Sequence, residues 1–177
     1  MQKEIEKVMI TEKEIKERVR ALGEKISSDY KGKEIVLLIV LKGSIAFAAD
    51  LMRVITLDVR LDFMQVSSYG AETVSGDLKI LKDTQLDLKG KNVIIAEDII
   101  DSGKTLKLLT NLLRERGANA EVCALLSKPA RRKTEVDVKY LGFEIEDEFV
   151  VGYGLDYNER FRNLPYIGVL KKEVYNG

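Results

Sequence analysis

The stretch NVIIAEDIIDSGKTLKLL, residues 92–109, decides the fold, because it enters as an apolar strand and leaves as a helix. Residues 92–97 have strand length and an apolar centre. From about 103 to 116, Leu106, Leu109 and Leu113 share one helical face and Gly117 follows as the stop. Between the two elements stand Glu97, Asp98 and Asp101, then Ser102, Gly103, Lys104 and Thr105. Carboxylates repel an anion, whereas a Ser-Gly-Lys-Thr turn opening a helix attracts one through its N–H groups and hydroxyls. A sugar phosphate needs both. Its vicinal hydroxyls donate to Glu97 and Asp98, and its phosphate sits on the turn, where Gly103 lets the backbone come close. Two other readings stay open here. Acids before a helix can simply cap it, and GKT matches the end of a P-loop. A P-loop, however, needs Gly where this chain has Asp98.

Working outward, EIVLLIVL (34–41) is a continuous apolar run, as expected of a strand covered on both faces. SIAFAADLMRVI (44–55) reads as a mostly buried helix. Residues 11–30 read as an amphipathic helix with a Thr11/Glu14 capping box and Ile15, Val19, Leu22 and Ile26 on one side. In LDVRLDFMQVSSYG (57–70), Val59, Leu61 and Phe63 alternate with charged neighbours as a strand would. AEVCALLS (120–127) is a further strand. Two or three βα units in series predict an α/β fold: a central parallel twisted sheet flanked by helices. A chain of 177 residues, 45% hydrophobic, suits one domain, 1–177. A small hood is expected from the N-terminal segment and roughly 138–170. From Ser67 to Gly76 the apolar signal vanishes, which predicts a mobile loop prolonged as a hairpin through DLKIL.

Composition narrows the chemistry. The 29 basic and 29 acidic residues cancel, which argues against a broad nucleic-acid footprint. There is no His, so Ser-His-Asp and Cys-His schemes and imidazole metal sites are excluded. Proton transfer falls to carboxylate, Lys or Tyr, and any metal should be a hard cation on oxygens, most simply magnesium. The single Cys123 lies in an apolar run and reads as a buried small hydrophobe. No signal pattern and no apolar run near membrane-span length occur, so no membrane partner and a cytoplasmic location are expected.

VIIAEDIIDSGKTL is similar to the phosphoribosyl-pyrophosphate motif of the type I phosphoribosyltransferases. The resemblance continues at LKGS (41–44), SSYG (67–70), LLSKP (125–129) and DEFVVGYGLDYNERFRNLP (147–165), in the order of that family's purine-salvage branch. Ser44 and Ser102 stand where other members have Gly and Thr. The resemblance implies transfer of 5-phosphoribosyl from phosphoribosyl pyrophosphate to a 6-oxopurine, hypoxanthine or guanine, giving IMP or GMP and pyrophosphate. It implies that Glu97 and Asp98 hold the ribose hydroxyls and, with Asp156, magnesium. Ser102, Gly103, Lys104 and Thr105 then hold the 5′-phosphate, while Lys42, Gly43 and Arg162 hold pyrophosphate. Asp101 is the proton acceptor near purine N7, as suits a chain without histidine. Lys128 donates to O6, Phe149 stacks on the base, and the Val150 backbone meets its edge. Ser68 and Tyr69 are expected to close over the reaction centre. A non-proline cis bond is expected at Leu41–Lys42, and a homodimer or homotetramer as the assembly. A transferase preferring xanthine, or a non-catalytic regulator on the same fold, remains as an alternative. Zero net charge and the lack of an added helix-turn-helix count against the regulator.

Overall fold

Thr11 sets the first helix. β1 (Ile5–Ile10) leads to it and α1 (Glu12–Asp29) follows in the computed structural model, which describes residues 3–68 and 78–175. The Thr11 N–H donates to Glu14 Oε2 at 2.8 Å and its hydroxyl accepts from the Glu14 N–H at 3.3 Å. This is the reciprocal cap expected of the sequence. Ile15, Val19, Leu22 and Ile26 lie buried along one stripe.

β2 (Ile35–Val40) has six residues and all are buried, so both its faces need cover. α2 (Ile45–Val54) carries the chain to β3 (Val59–Ser68), which pairs antiparallel with β4 (Leu78–Lys82). β5 (Asn92–Ile100), α3 (Lys104–Glu115), β6 (Asn119–Ser127) and β7 (Tyr140–Glu144) complete a sheet of order β4-β3-β2-β5-β6-β7. Every pairing except β3–β4 is parallel. Ile35, Leu37 and Ile39 cluster with α1 and α2, whereas Val36, Leu38 and Val40 cluster with Leu106, Leu109 and Leu113 of α3. Each such aliphatic side chain contributes about 1.5–3 kcal/mol relative to exposure, which makes this two-sided packing the main support of the sheet.

The strand order fixes the site. From β2 the chain moves to one side through α2 to β3, whereas β5 lies on β2's other flank and α3 carries on outward to β6. The order therefore reverses between β2 and β5, and the crevice beyond their carboxyl ends is where ligands of open α/β sheets bind.

A smaller antiparallel sheet joins β1, β9 (Ile167–Leu170) and β8 (Val150–Val151), in the order β1-β9-β8. Residues 138–170 thus divide between two sheets, since β7 joins the large one through Cys123↔Tyr140 and Leu126↔Phe143. β5 runs three residues past its expected end at 97, because β6 continues to pair with it as far as Ile100↔Ser127. β3 is covered on both faces: Val59 and Phe63 pack on the α1/α2 side as the alternation predicts, while Met64 and Val66 pack on the other. Asp62 and Met64 are buried, while Leu61 is 39% exposed. Asp62 Oδ2 accepts from the Gln85 and Leu86 N–H groups, each at 2.8 Å, so this acid ties down the β4–β5 connection from inside. The hairpin through DLKIL is present as β3–β4. Among the described residues no helix is long and apolar enough to cross a membrane.

Candidate active site

β2 stops pairing with β5 at Ile39↔Ala96, while β6 keeps β5 extended to Ile100. Glu97 and Asp98 therefore lie on an ordered strand whose β2 flank has run out. The turn Lys42-Gly43-Ser44 fills that flank. A Cβ on Gly43 would collide with Asp98 Oδ2, and a Cβ on Gly154, at φ 101°, would collide with the Gly43 carbonyl. Only glycine permits both approaches. Ser44 is buried and its hydroxyl donates to Val40 O at 2.5 Å, fixing the turn from beneath. The Leu41–Lys42 bond is cis, as the resemblance implied.

Crowding the acids leaves them short of partners. Glu97 Oε2 is buried with no hydrogen-bond donor. Desolvation and then the neighbouring Asp98 push its carboxyl well above the ordinary range. Burial likewise raises Asp98 to about 6, although its Oδ1 accepts the Ile99 N–H at 2.7 Å. Arg162 lowers the Asp98 value and Asp156 raises it, so all three sides of this cluster feel one another. Arg162 pairs with Asp156 at 2.9 Å and donates to Gly154 O at 2.8 Å, while its buried Nε has no partner. Lys42 reaches Glu159 at 3.2 Å, and Glu159 also meets Arg162 at 3.3 Å. The two cations expected to hold pyrophosphate are thus gathered on one exposed acid.

Gly103 is the N-cap of α3 at φ 83°, and no side chain caps the helix. That removes the reading of Asp101 as a cap. Ser102 O accepts the Lys133 and Thr134 N–H groups at 3.0 Å, and a Cβ on Gly103 would strike Thr134 O. Residues 132–134 thus brace the turn from behind, and within it the Lys104 N–H donates to the Ser102 hydroxyl at 3.4 Å. A cavity of about 170 Å³ is lined by Glu97, Ile99, Asp101, Ser102, Gly103 and Thr105 among others. Lys104 opens the helix and is exposed.

The base end is built from β6 outward. The Lys128 N–H donates to Ile100 O at 2.9 Å, and the residue is only 6% exposed. A buried ammonium needs a counter-charge, and Asp147 stands 3.6 Å away. The chain then makes a 3-10 turn at Pro129–Arg131, which brings Arg131 back. Its Nε lies 3.1 Å from Asp101 Oδ1, without hydrogen-bond alignment, and its NH1 3.8 Å from Asp147. Asp101 and Lys128 are thus linked through Arg131 and Asp147. Arg132 donates to the buried Ser127 hydroxyl at 2.6 Å and keeps a buried Nε without a partner. Phe149 precedes β8 and is 37% exposed, whereas Val150 is buried in the strand.

Sequence reasoning passed over Arg131, Arg132, Asp147 and Glu159. Their only signal was a run of charges, and nothing in KPARR says that a 3-10 turn folds it onto Asp101. Ser68 ends β3, while Tyr69 lies outside the described residues. Among the described residues no three Asp, Glu or Cys side chains converge to hold a metal alone. Glu97, Asp98 and Asp156 thus form no all-protein cage. Their oxygens are of the kind that a hard divalent cation takes when substrate oxygens complete its shell.

Paired acids beside a helix-opening anion turn, at the switch point of a parallel sheet, define a sugar-phosphate-binding α/β protein. Comparison with known proteins agrees: the phosphoribosyl transferase domain family matches residues 8–158, and the chain belongs to that family. The hypoxanthine-guanine phosphoribosyltransferase of Bacillus subtilis (strain 168) is 50% identical over 177 residues, covering 99% of this chain and 98% of the relative. That of Lactococcus lactis subsp. lactis is 49% identical over 177 residues, covering 99% and 97%. A crystal structure of a hypoxanthine phosphoribosyltransferase from Staphylococcus aureus superposes with a TM-score of 0.94 at 46% identity, covering 98% of this chain and 96% of that one.

Proposed function

We propose that the chain transfers the 5-phosphoribosyl group of phosphoribosyl pyrophosphate to a ring nitrogen of hypoxanthine or guanine, releasing IMP or GMP and pyrophosphate. The observation that carries this reading is the pairing of an orphaned, buried acid with a buried cation. Glu97 Oε2 lacks a donor beside the phosphate turn, and the buried Lys128, whose ammonium stands 3.6 Å from Asp147, has donors to spare for a closer acceptor. A ribose diol supplies the first and the O6 of a 6-oxopurine the second. The relatives' names point the same way.

The 5′-phosphate sits on the N–H groups and hydroxyls of Ser102 to Thr105. Lys42, Gly43 and Arg162 take the pyrophosphate, the guanidinium by its fork of donors. Bond breaking at C1 leaves positive charge on the sugar and negative charge on pyrophosphate, and the flanking acids and cations are arranged to match both. Asp101 accepts the purine proton, Lys128 donates to O6, and Phe149 stacks on the base. Glu97, Asp98 and Asp156 would hold magnesium, which would supply neutralisation of charge on the leaving group. The partnerless Glu97 oxygen and the raised Asp98 carboxyl fit a site completed by diol and cation together. A homodimer or homotetramer in the cytoplasm completes the proposal, and sedimentation reports the assembly.

The test is product formation from phosphoribosyl pyrophosphate with hypoxanthine, guanine, xanthine, adenine and uracil. Hypoxanthine and guanine should turn over and adenine should not. Turnover should stop in excess chelator and return with magnesium. Efficient adenine use, or no transfer to any purine, overturns the assignment.

A further inference from the structure

β9 ends by handing the Leu170 N–H to the Phe149 carbonyl at 2.8 Å. The Lys171 N–H then bonds to Glu4 O at 3.0 Å, and one helical turn, α4 (Lys172–Tyr175), brings the chain back over Phe149. There the Tyr175 and Phe149 rings stack, with centroids 4.8 Å apart and planes at 23°. Tyr157 meets Phe149 edge-on, at 5.6 Å and 86°. Tyr175, Val174 and Tyr157 all pack on the small cluster of Ile5, Val151, Phe161, Leu164 and Leu170, so the clamp is anchored in the hood. Phe149 nevertheless remains 37% exposed. Two neighbouring rings hold Phe149 while more than a third of the residue stays open.

An exposed aromatic ring normally turns about its side-chain bonds, and a ligand that stacks on it must first stop that motion. A ring already held by a parallel partner and an edge partner has lost that freedom beforehand, which strengthens binding without adding a contact. Neither the phosphate turn nor the cation cluster gains anything from this clamp. Its effect should fall on the base alone.

We propose that Tyr175 is a positioning residue for the purine: it backs Phe149 and fixes the ring plane on which the base stacks. The inference rests on the proposed base transfer and goes beyond it in giving the C-terminal turn a share in base recognition.

The test compares the full chain with Tyr175→Ala, Tyr175→Leu and Tyr175→Phe, measuring KM for hypoxanthine and for phosphoribosyl pyrophosphate, kcat and Tm. In Tyr175→Ala and Tyr175→Leu the hypoxanthine KM should rise by about threefold to tenfold, the range of an aromatic pair. The phosphoribosyl pyrophosphate KM should stay within about twofold, since no anion contact is lost. Tyr175→Phe should restore the hypoxanthine KM, because the stack needs the ring and not the hydroxyl. An unchanged hypoxanthine KM in folded Tyr175→Leu overturns the proposal. So does a lowered KM, which would place the tyrosine ring where the base must go, and so does an equal rise in both KM values. If the parent chain transfers to no purine, the functional reading itself has failed, and that outcome is visible before any variant is made.

Discussion

In the proposed reaction base chemistry turns on Asp101 and Lys128, and each comes with a partner that limits what it can do alone. Asp101 faces Arg131 at 3.1 Å, so it is held in an ion pair until a purine displaces or shares that contact. Asp101→Asn keeps the shape and loses the proton acceptor. It should slow the chemical step by at least about a hundredfold, the lower end of general-base contributions, with the KM for phosphoribosyl pyrophosphate little changed. Single-turnover kinetics checks this, and near-normal turnover would sink the assignment. Lys128→Ala removes a buried ammonium and strands Asp147 with only Arg131, at 3.8 Å. A site built to donate to O6 should then lose its preference against adenine by about tenfold or more, measured as the ratio of kcat/KM for hypoxanthine and adenine.

At the scale of elements, the turns rather than the strands carry the site, and their glycines show how tightly. Gly43→Ala would drive a methyl into Asp98 and push the β2 turn away from the acid pair. The expected result is loss of most activity, with KM for phosphoribosyl pyrophosphate raised and Tm clearly lowered, because the methyl is forced into a buried site. Gly32→Ala is the control: its φ is 75°, but a Cβ there meets nothing, so only stability should fall. The same contrast explains what could be read from the sequence. Thr11, the buried run 35–40 and the stripe Leu106, Leu109, Leu113 obey local rules, so α1, β2 and α3 were legible. The burial of Asp62 in β3 was not, because it accepts two N–H groups from residues 85 and 86, a contact across the fold. Glu97 and Asp98 on β5 and the turn that opens α3 were legible as one stretch. Arg131 and Tyr175 were not, since a 3-10 turn and a terminal turn bring them in from elements with no motif of their own.

Over the whole molecule, the unpaired acids make function and stability oppose each other. Glu97 and Asp98 have folded-state values above their ordinary ones, Asp98 at about 6. Below about pH 4 both the folded and the unfolded chain hold these protons, and the pair contributes nothing. As pH rises from there through about 6, the unfolded chain gives up protons that the folded chain retains. The unfolded state then binds fewer protons, so folding stability falls with rising pH across this window. Asp29 and Asp83 act with the opposite sign. Tyr140 lowers the first and Arg116 the second, so their contribution is present above the ordinary carboxylate value and lost below it. The two effects therefore occupy different windows. Glu97→Gln removes the buried negative charge without changing the shape. In the ligand-free protein it should raise stability at pH 7 and flatten the decline above pH 4, while activity falls. Urea denaturation of parent and variant at a series of pH values measures the difference directly, because titrating groups away from the Glu97–Asp98 pair cancel. Magnesium with phosphoribosyl pyrophosphate should stabilise the parent more than the variant, since only the parent has an acid to be satisfied. A variant no more stable than the parent at any pH would mean that Glu97 already has its partner in the free protein, and that the site is not waiting for a diol.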